Sequence, residues 1–228
     1  MRHLKTINYS TVNIVITGAS QGIGYETAWN LAQSGKNKII AIARNQQKLN
    51  KLKEKALLKN TPGKIIPYAF DLRNTDRIDE LSSFCNDKLG TIHLLINNAG
   101  LLHNKKYLDF TNEEIAEIFT VNFFSVDILI RKLLPFFDKK GGKIINISSL
   151  GGKEGTDKFP GLSIYSASKG ALNILSECLA VELQPYNIDI TSLSLGAVET
   201  EMFQKAFPGQ KALDSPERIG KWISDMCQ

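Results

Sequence analysis

Short apolar runs rich in β-branched residues recur along this chain, separated by stretches whose apolar positions repeat at helical spacing. Asn13 to Thr17 (NIVIT) is the first run, followed by a glycine-rich turn and a helical stretch from Tyr25 to Ser34. Lys38 to Ala43 (KIIAIA) precedes a Lys- and Leu-rich helix from Gln46 to Leu58. Lys64 to Phe70 reads as a third strand. Asn74 to Leu89 reads as a helix with Thr75 as its cap and Ile78, Leu81 and Phe84 at helical spacing. Ile92 to Asn97 is the fourth strand. A long helical region runs from Thr111 to Phe137, and Pro135 kinks it or marks its end. Lys143 to Ser148, a helix from Tyr165 to Leu183, a strand from Asp189 to Leu195 and a last helix from Ser215 to Met226 complete the pattern.

Continuous apolar strands, each followed by a helix, are buried on both faces and belong to a parallel sheet. Right-handed crossovers then place helices on both sides of it. No composition break or internal repeat divides the chain. The expectation is one doubly wound α/β domain over residues 1–228.

Composition narrows the possibilities. The 228 residues are 43% hydrophobic and 22% charged, which excludes a disordered, collagen-like or disulfide-scaffold chain. The net charge of +5 suits an enzyme whose ligand carries phosphates, and equally a lysine-rich surface kept for solubility. Lys48, Lys51, Lys55 and Lys59 read as the solvated face of one helix, and no nucleic-acid module is present, so no nucleic-acid partner is expected. Cys85, Cys178 and Cys227 lie far apart and read as reduced thiols of a cytoplasmic protein. The N-terminal segment has no long apolar stretch ending in a cleavage site, and no apolar run reaches the roughly 18 residues of a membrane span, so no membrane partner is expected. His3, His93 and His103 lack ligand spacing, and no metal site is expected; His93 reads as a core histidine, while His103 falls near the expected cleft. Trp29, Trp222, Phe123 and Phe124 read as packing residues.

The chemistry begins at Thr17 to Gly24, TGASQGIG, between the first strand and the first helix. Gly18 suits a tight turn, Gly22 a close backbone approach to a pyrophosphate, and Gly24 close packing of the helix on the sheet. Ser20, Gln21 and Ile23 complete the turn, and the helix N-terminus offers unpaired N–H groups to phosphates. A carboxylate at the end of the second strand would bind a ribose 2′-hydroxyl. Ala43, Arg44 and Asn45 stand there instead. The Arg44 guanidinium suits a 2′-phosphate, so NADP(H) is expected over NAD(H), and Lys48 one turn on is placed to assist. Tyr165 and Lys169 stand at i and i+4 on one helix face, where an ammonium lowers the phenol's usual pKa of about 10 and makes a general acid/base.

These pieces, with NNAG (Asn97–Gly100), Asn122 in TVNFF, NISS (Asn146–Ser149) and YSASK (Tyr165–Lys169), closely resemble the short-chain dehydrogenase/reductase family from residue 12 to about 200. The resemblance implies a Rossmann-type sheet and a catalytic set of Asn122, Ser149, Tyr165 and Lys169. Tyr165 would give its proton to a carbonyl oxygen while hydride arrives from nicotinamide. Lys169 would lower the Tyr165 pKa and hold the nicotinamide ribose. Ser149 would polarise the carbonyl, and Asn122 would kink its helix and hold a water relaying protons to Lys169. Of the adjacent Ser148 and Ser149, the family pattern selects Ser149, followed by Leu150-Gly151. The resemblance further implies adenine contacts from Asp71 and Leu72, ribose contacts from Asn98, Ala99 and Gly100, and nicotinamide contacts from Gly196, Val198 and Thr200.

Departures matter as well. Leu195-Gly196 replaces the usual Pro-Gly, and sixteen residues separate Ser149 from Tyr165, more than is common, the surplus falling in Lys153 to Pro160. No V-D-G-G-like strand follows the last helix, so six strands in the order 3-2-1-4-5-6 are expected, without a seventh. That loss suggests a homodimer through the helices holding Asn122 and Tyr165. Glu201 to Asp214, with Met202, Phe203, Phe207 and Pro208, suggests an apolar lid over a small-molecule carbonyl or alcohol substrate. The expected activity is NADPH-dependent carbonyl reduction. The alternatives are an NAD-dependent alcohol dehydrogenase of the same family and a non-catalytic NADP(H)-binding regulator, whose hallmark, a damaged catalytic set, is lacking.

Overall fold

The computed structural model describes residues 11–227; the N-terminal segment read for a cleavage site, His3 within it, and Gln228 lie outside the described residues. Six strands, β1 (Asn13–Thr17), β2 (Lys38–Ala43), β3 (Lys64–Ala69), β4 (Leu94–Asn97), β5 (Gly142–Ser149) and β6 (Ile188–Leu195), form one sheet in the order β3-β2-β1-β4-β5-β6. Every neighbouring pair is parallel. Among the described residues there is no seventh strand. The expected topology is the observed one.

Side chains alternate across a strand, and this splits the core in two. Ile14 and Ile16 of β1 join a layer with Leu31 of α1 (Gly22–Ser34), Leu49 and Leu52 of α2 (Gln46–Leu58) and Ile223 of α8 (Pro216–Met226). Val15 between them faces the other layer. There it meets Leu81 of α3 (Ile78–Leu89), Leu129 of α5 (Ser125–Leu133) and Leu172 of α6 (Ser163–Glu182). α4 (Asn112–Phe119) leads into α5, and a short α7 (Glu201–Ala206) follows β6.

Several boundaries depart from expectation for local reasons. Thr75 caps nothing: residues 75–77 form a 3₁₀ turn and α3 starts at Ile78. The fourth strand starts at Leu94, because Ile92 makes an isolated bridge to Phe137 and the His93 ring is buried, its Nδ1 accepting from the Asn13 N–H at 2.9 Å. Burial holds the His93 pKa below its ordinary value against the pull of Asp138, which suits a core residue. α6 starts at Ser163, two residues before Tyr165.

The long helical region is three pieces. Thr111 and Glu114 close a capping box at the start of α4. Residues 120–124 widen into a π turn, with the Ser125 N–H reaching back to the Thr120 carbonyl. A 3₁₀ turn containing Pro135 ends it, as its missing N–H requires. On α2, Lys55 does not simply face water: its ammonium lies 4.2 Å over the Trp29 ring and 5.2 Å over Tyr25. Cys85, Cys178 and Cys227 are free thiols. Among the described residues no helix is long and apolar enough to cross a membrane, and no group of His, Cys, Asp and Glu could hold a metal ion.

Candidate active site

In a doubly wound sheet the crevice opens beyond the C-terminal strand ends where the crossovers change direction, here between β1 and β4. The glycine turn lies there. Gly18 has φ +70°, and a Cβ on it would meet Asn98 Nδ2 at 2.7 Å and Ala99 Cα at 2.8 Å. Gly24 faces the Gly18 carbonyl and Asn98, so its missing side chain lets α1 close on the turn itself rather than on the sheet. Asn98 Nδ2 donates to the carbonyls of Thr17 and Gly18 at 3.0 and 3.2 Å, and the N–H groups of Asn98 and Ala99 donate to Thr17 Oγ1 at 3.1 Å each. The knot fixes the NNAG segment to the turn.

The cradle fits a dinucleotide. Gln21 stands at the α1 N-cap without a side-chain bond to the first turn, and no acidic residue is in that turn, so its N–H groups are open to an anion. Ser20 and Ile23 flank Gln21 and Gly22 in the same turn. Gly22 (φ +59°) faces Thr200, whose Cγ2 would be 3.3 Å from a Cβ there. Thr200 also caps α7, its hydroxyl accepting from the Phe203 N–H. Val198 is buried and bridges to Asp214; Gly196 lies beside Leu150.

At the far end, Arg44, Asn45, Gln46, Gln47, Asp71 and Arg73 line one open pocket. Sequence reasoning missed Arg73. It holds both Asp71 oxygens, at 2.5 Å for the shortest contact, and reaches Glu117 at 3.0 Å. Burial would raise the Asp71 pKa, but the Arg73 bonds and the nearby Arg44 charge hold it below the usual carboxylate value. Leu72 is buried in the core layer that holds Val15. Lys48 turns the other way. It reaches Gln21 of the glycine turn and, at 3.2 Å, Glu201. His103 approaches Glu117 at 3.5 Å.

Ser149, Tyr165 and Lys169 meet above the ends of β5 and α6, with Asn122 behind. Pleating separates the two serines: Ser148 is buried with its hydroxyl on the Lys169 carbonyl, whereas Ser149 accepts from the Gly151 N–H and lies near enough to the Tyr165 phenol to pull its pKa down. A Cβ on Gly152 would come 2.6 Å from the Gly170 nitrogen, so only glycine lets this turn lie against α6. Asn122 is fully buried in the π turn, accepting from the Leu101 N–H at 2.7 Å and donating to the Leu101 carbonyl and Ser168 Oγ at 2.9 Å each. It does not touch Lys169; the two side chains converge on Gly100, where a Cβ would be 3.5 and 3.6 Å from them.

Lys169 Nζ donates to the Ile147 carbonyl at 2.8 Å and is 3% exposed as a residue, and burial pulls its pKa down to about 8. Tyr165 departs from expectation. Burial pushes its phenol up to about 12, against the pull of the Ser149 bond. The ammonium lies 5.9 Å from the ring centre and is turned to the Ile147 carbonyl.

Comparison with known proteins places this arrangement. The short chain dehydrogenase family pattern matches residues 12–211. An uncharacterized oxidoreductase of Staphylococcus epidermidis is 31% identical over 198 residues, covering 86% of this chain and 82% of its own. The NADPH-dependent 1-acyldihydroxyacetone phosphate reductase of Saccharomyces cerevisiae is 33% identical over 219 residues, covering 91% and 71%. The crystal structure of a 3-ketoacyl-(acyl-carrier-protein) reductase from Brucella melitensis, complexed with NADH, superposes with a TM-score of 0.82 at 25% identity, covering 95% of this chain and 91% of that one. The chain belongs to the short-chain dehydrogenase/reductase family of oxidoreductases.

The Lys169 value has a consequence for stability. Its native pKa lies below its unfolded one, so between the two the unfolded chain binds more protons and stability rises with pH. Compared with Lys169→Met, the unaltered protein should gain about 2 kcal/mol in urea unfolding between pH 7.5 and 9.5. A constant difference over that window would show that Lys169 is not desolvated.

Proposed function

We propose that this protein reduces a ketone or aldehyde to an alcohol with NADPH, using Asn122, Ser149, Tyr165 and Lys169. The observation that carries the reading is the convergence of Ser149 and Tyr165 beside a glycine cradle, with a buried lysine one turn along the same helix. Bound nicotinamide supplies the hydride. Ser149 orients the carbonyl oxygen and Tyr165, which holds its proton at neutral pH, delivers it to the oxygen as negative charge develops. Lys169, with a pKa of about 8, sits near enough to neutrality to replenish a proton and stands where a ribose would be held. Asn122 keeps Leu101 and Ser168 in place around that lysine.

Cofactor choice rests on Arg44. No carboxylate ends β2, and the one nearby, Asp71, is neutralised by Arg73. Gly18, Ser20, Gln21, Gly22, Ile23 and Gly24 take the pyrophosphate, Asp71 and Leu72 the adenine, Asn98, Ala99 and Gly100 the ribose, and Gly196, Val198 and Thr200 the nicotinamide. One domain carries both sites, and the protein works in the cytoplasm.

Exposed Phe124, Ile174 and Val181 lie on the helices that hold Asn122 and Tyr165, which supports a homodimer through them. Gel filtration should give twice the 25.3 kDa chain mass; a monomer or a tetramer overturns this. Tyr165→Phe should lower NADPH oxidation across a ketone and aldehyde panel by about 10²–10⁴-fold with cofactor affinity within about twofold. Equal turnover in that variant rules the mechanism out.

A further inference from the structure

The lid helix α7 is held at both ends by side chains from other parts of the chain. At its C-terminal end Asn104 Nδ2 donates to the Ala206 carbonyl at 2.8 Å. At its first residue, Glu201 meets Lys48 at 3.2 Å. Lys48 stands in a particular place. Its backbone N–H donates to Asn45 Oδ1, next to Arg44, while its ammonium reaches back to Gln21 in the glycine turn. The ammonium therefore stands at the edge of the glycine turn, while the Lys48 backbone lies in the first turn of the helix that Arg44 and Asn45 precede. The same cation is bound to the lid.

Both members of the pair are nearly half exposed, so their bond is screened and easily exchanged. Lys205 also pairs with Glu201 at 2.6 Å, so the carboxylate keeps a counter-ion if Lys48 leaves. A phosphate dianion is a stronger partner for an ammonium than a screened carboxylate. We propose that Glu201 and the 2′-phosphate of NADPH compete for Lys48, so that NADPH, and not NADH, loosens the lid helix from the glycine turn. Lys48 is then a specificity-determining residue, and Glu201 restrains NADPH affinity from a position outside the phosphate pocket. This rests on the NADPH reading above.

The experiment is a nicotinamide-fluorescence titration with NADPH and with NADH of the unaltered chain, Arg44→Ala, Lys48→Met and Glu201→Gln, each checked for an unchanged melting curve. Lys48→Met should weaken NADPH binding about tenfold and leave NADH within about twofold. Glu201→Gln should tighten NADPH binding about threefold, again without moving NADH. These opposite signs are what competition requires. If both variants weaken both cofactors alike, the pair only holds the lid and the proposal is overturned. It is also overturned, with the NADPH reading intact, if Arg44→Ala abolishes a preference for NADPH that Lys48→Met leaves untouched. If the unaltered chain binds both cofactors equally and Arg44→Ala changes neither, the NADPH reading itself fails and the proposal falls with it.

Discussion

Burying the ammonium of Lys169 is the constraint around which the catalytic half of the molecule is arranged. A charge taken out of water must find a partner, and this one has the Ile147 carbonyl at the end of β5. Holding it there requires α6 to lie hard against the strand. Gly152 and Gly170 permit that approach, since a side chain on Gly152 would strike the helix backbone. Gly100 leaves room on the opposite side, and the π turn brings Asn122 inward to tie Leu101 to Ser168. The widened turn costs regular helix geometry and places a fully buried amide at the one point where NNAG and α6 must be joined.

The cofactor half depends on a second close approach. The crossovers change sides between β1 and β4, and the Asn98–Thr17 bonds tie the segments that leave the C-terminal ends of these two paired strands. NNAG is knotted to the glycine turn on one side and lies, at Gly100, beside Asn122 and Lys169 on the other, so the cradle and the Tyr165–Lys169 helix are joined through one segment. The short helix α7 is joined to distant parts of the chain by side chains at its two ends, Lys48 on Glu201 and Asn104 on the Ala206 carbonyl.

Much of this was legible in the residues. Apolar runs placed all six strands, and motif order on those strands brought Ser149, Tyr165, Lys169 and Asn122 to one region, because those motifs sit at neighbouring strand and helix ends. What escaped has physical reasons. A π turn inserts one residue into a helix whose apolar spacing hardly changes. α7 is six residues long, too short for a periodic signal. Arg73 stands two residues from Asp71, but its hold on both carboxylate oxygens and on Glu117 is a matter of loop geometry. The Lys48–Glu201 contact joins residues 153 apart. The Tyr165 pKa was read from charge alone, whereas burial, invisible in spacing, decides its direction.

The burial of Lys169 can be observed directly. With lysine labelled at the ε-carbon, NMR titration should show a resonance titrating near pH 8 that is missing from Lys169→Met. That result would establish a lysine able to exchange its proton close to neutrality beside Tyr165. If no resonance lost in Lys169→Met titrates near pH 8, the ammonium is solvated, and the account of how α6 is held and how the site moves its proton would be wrong.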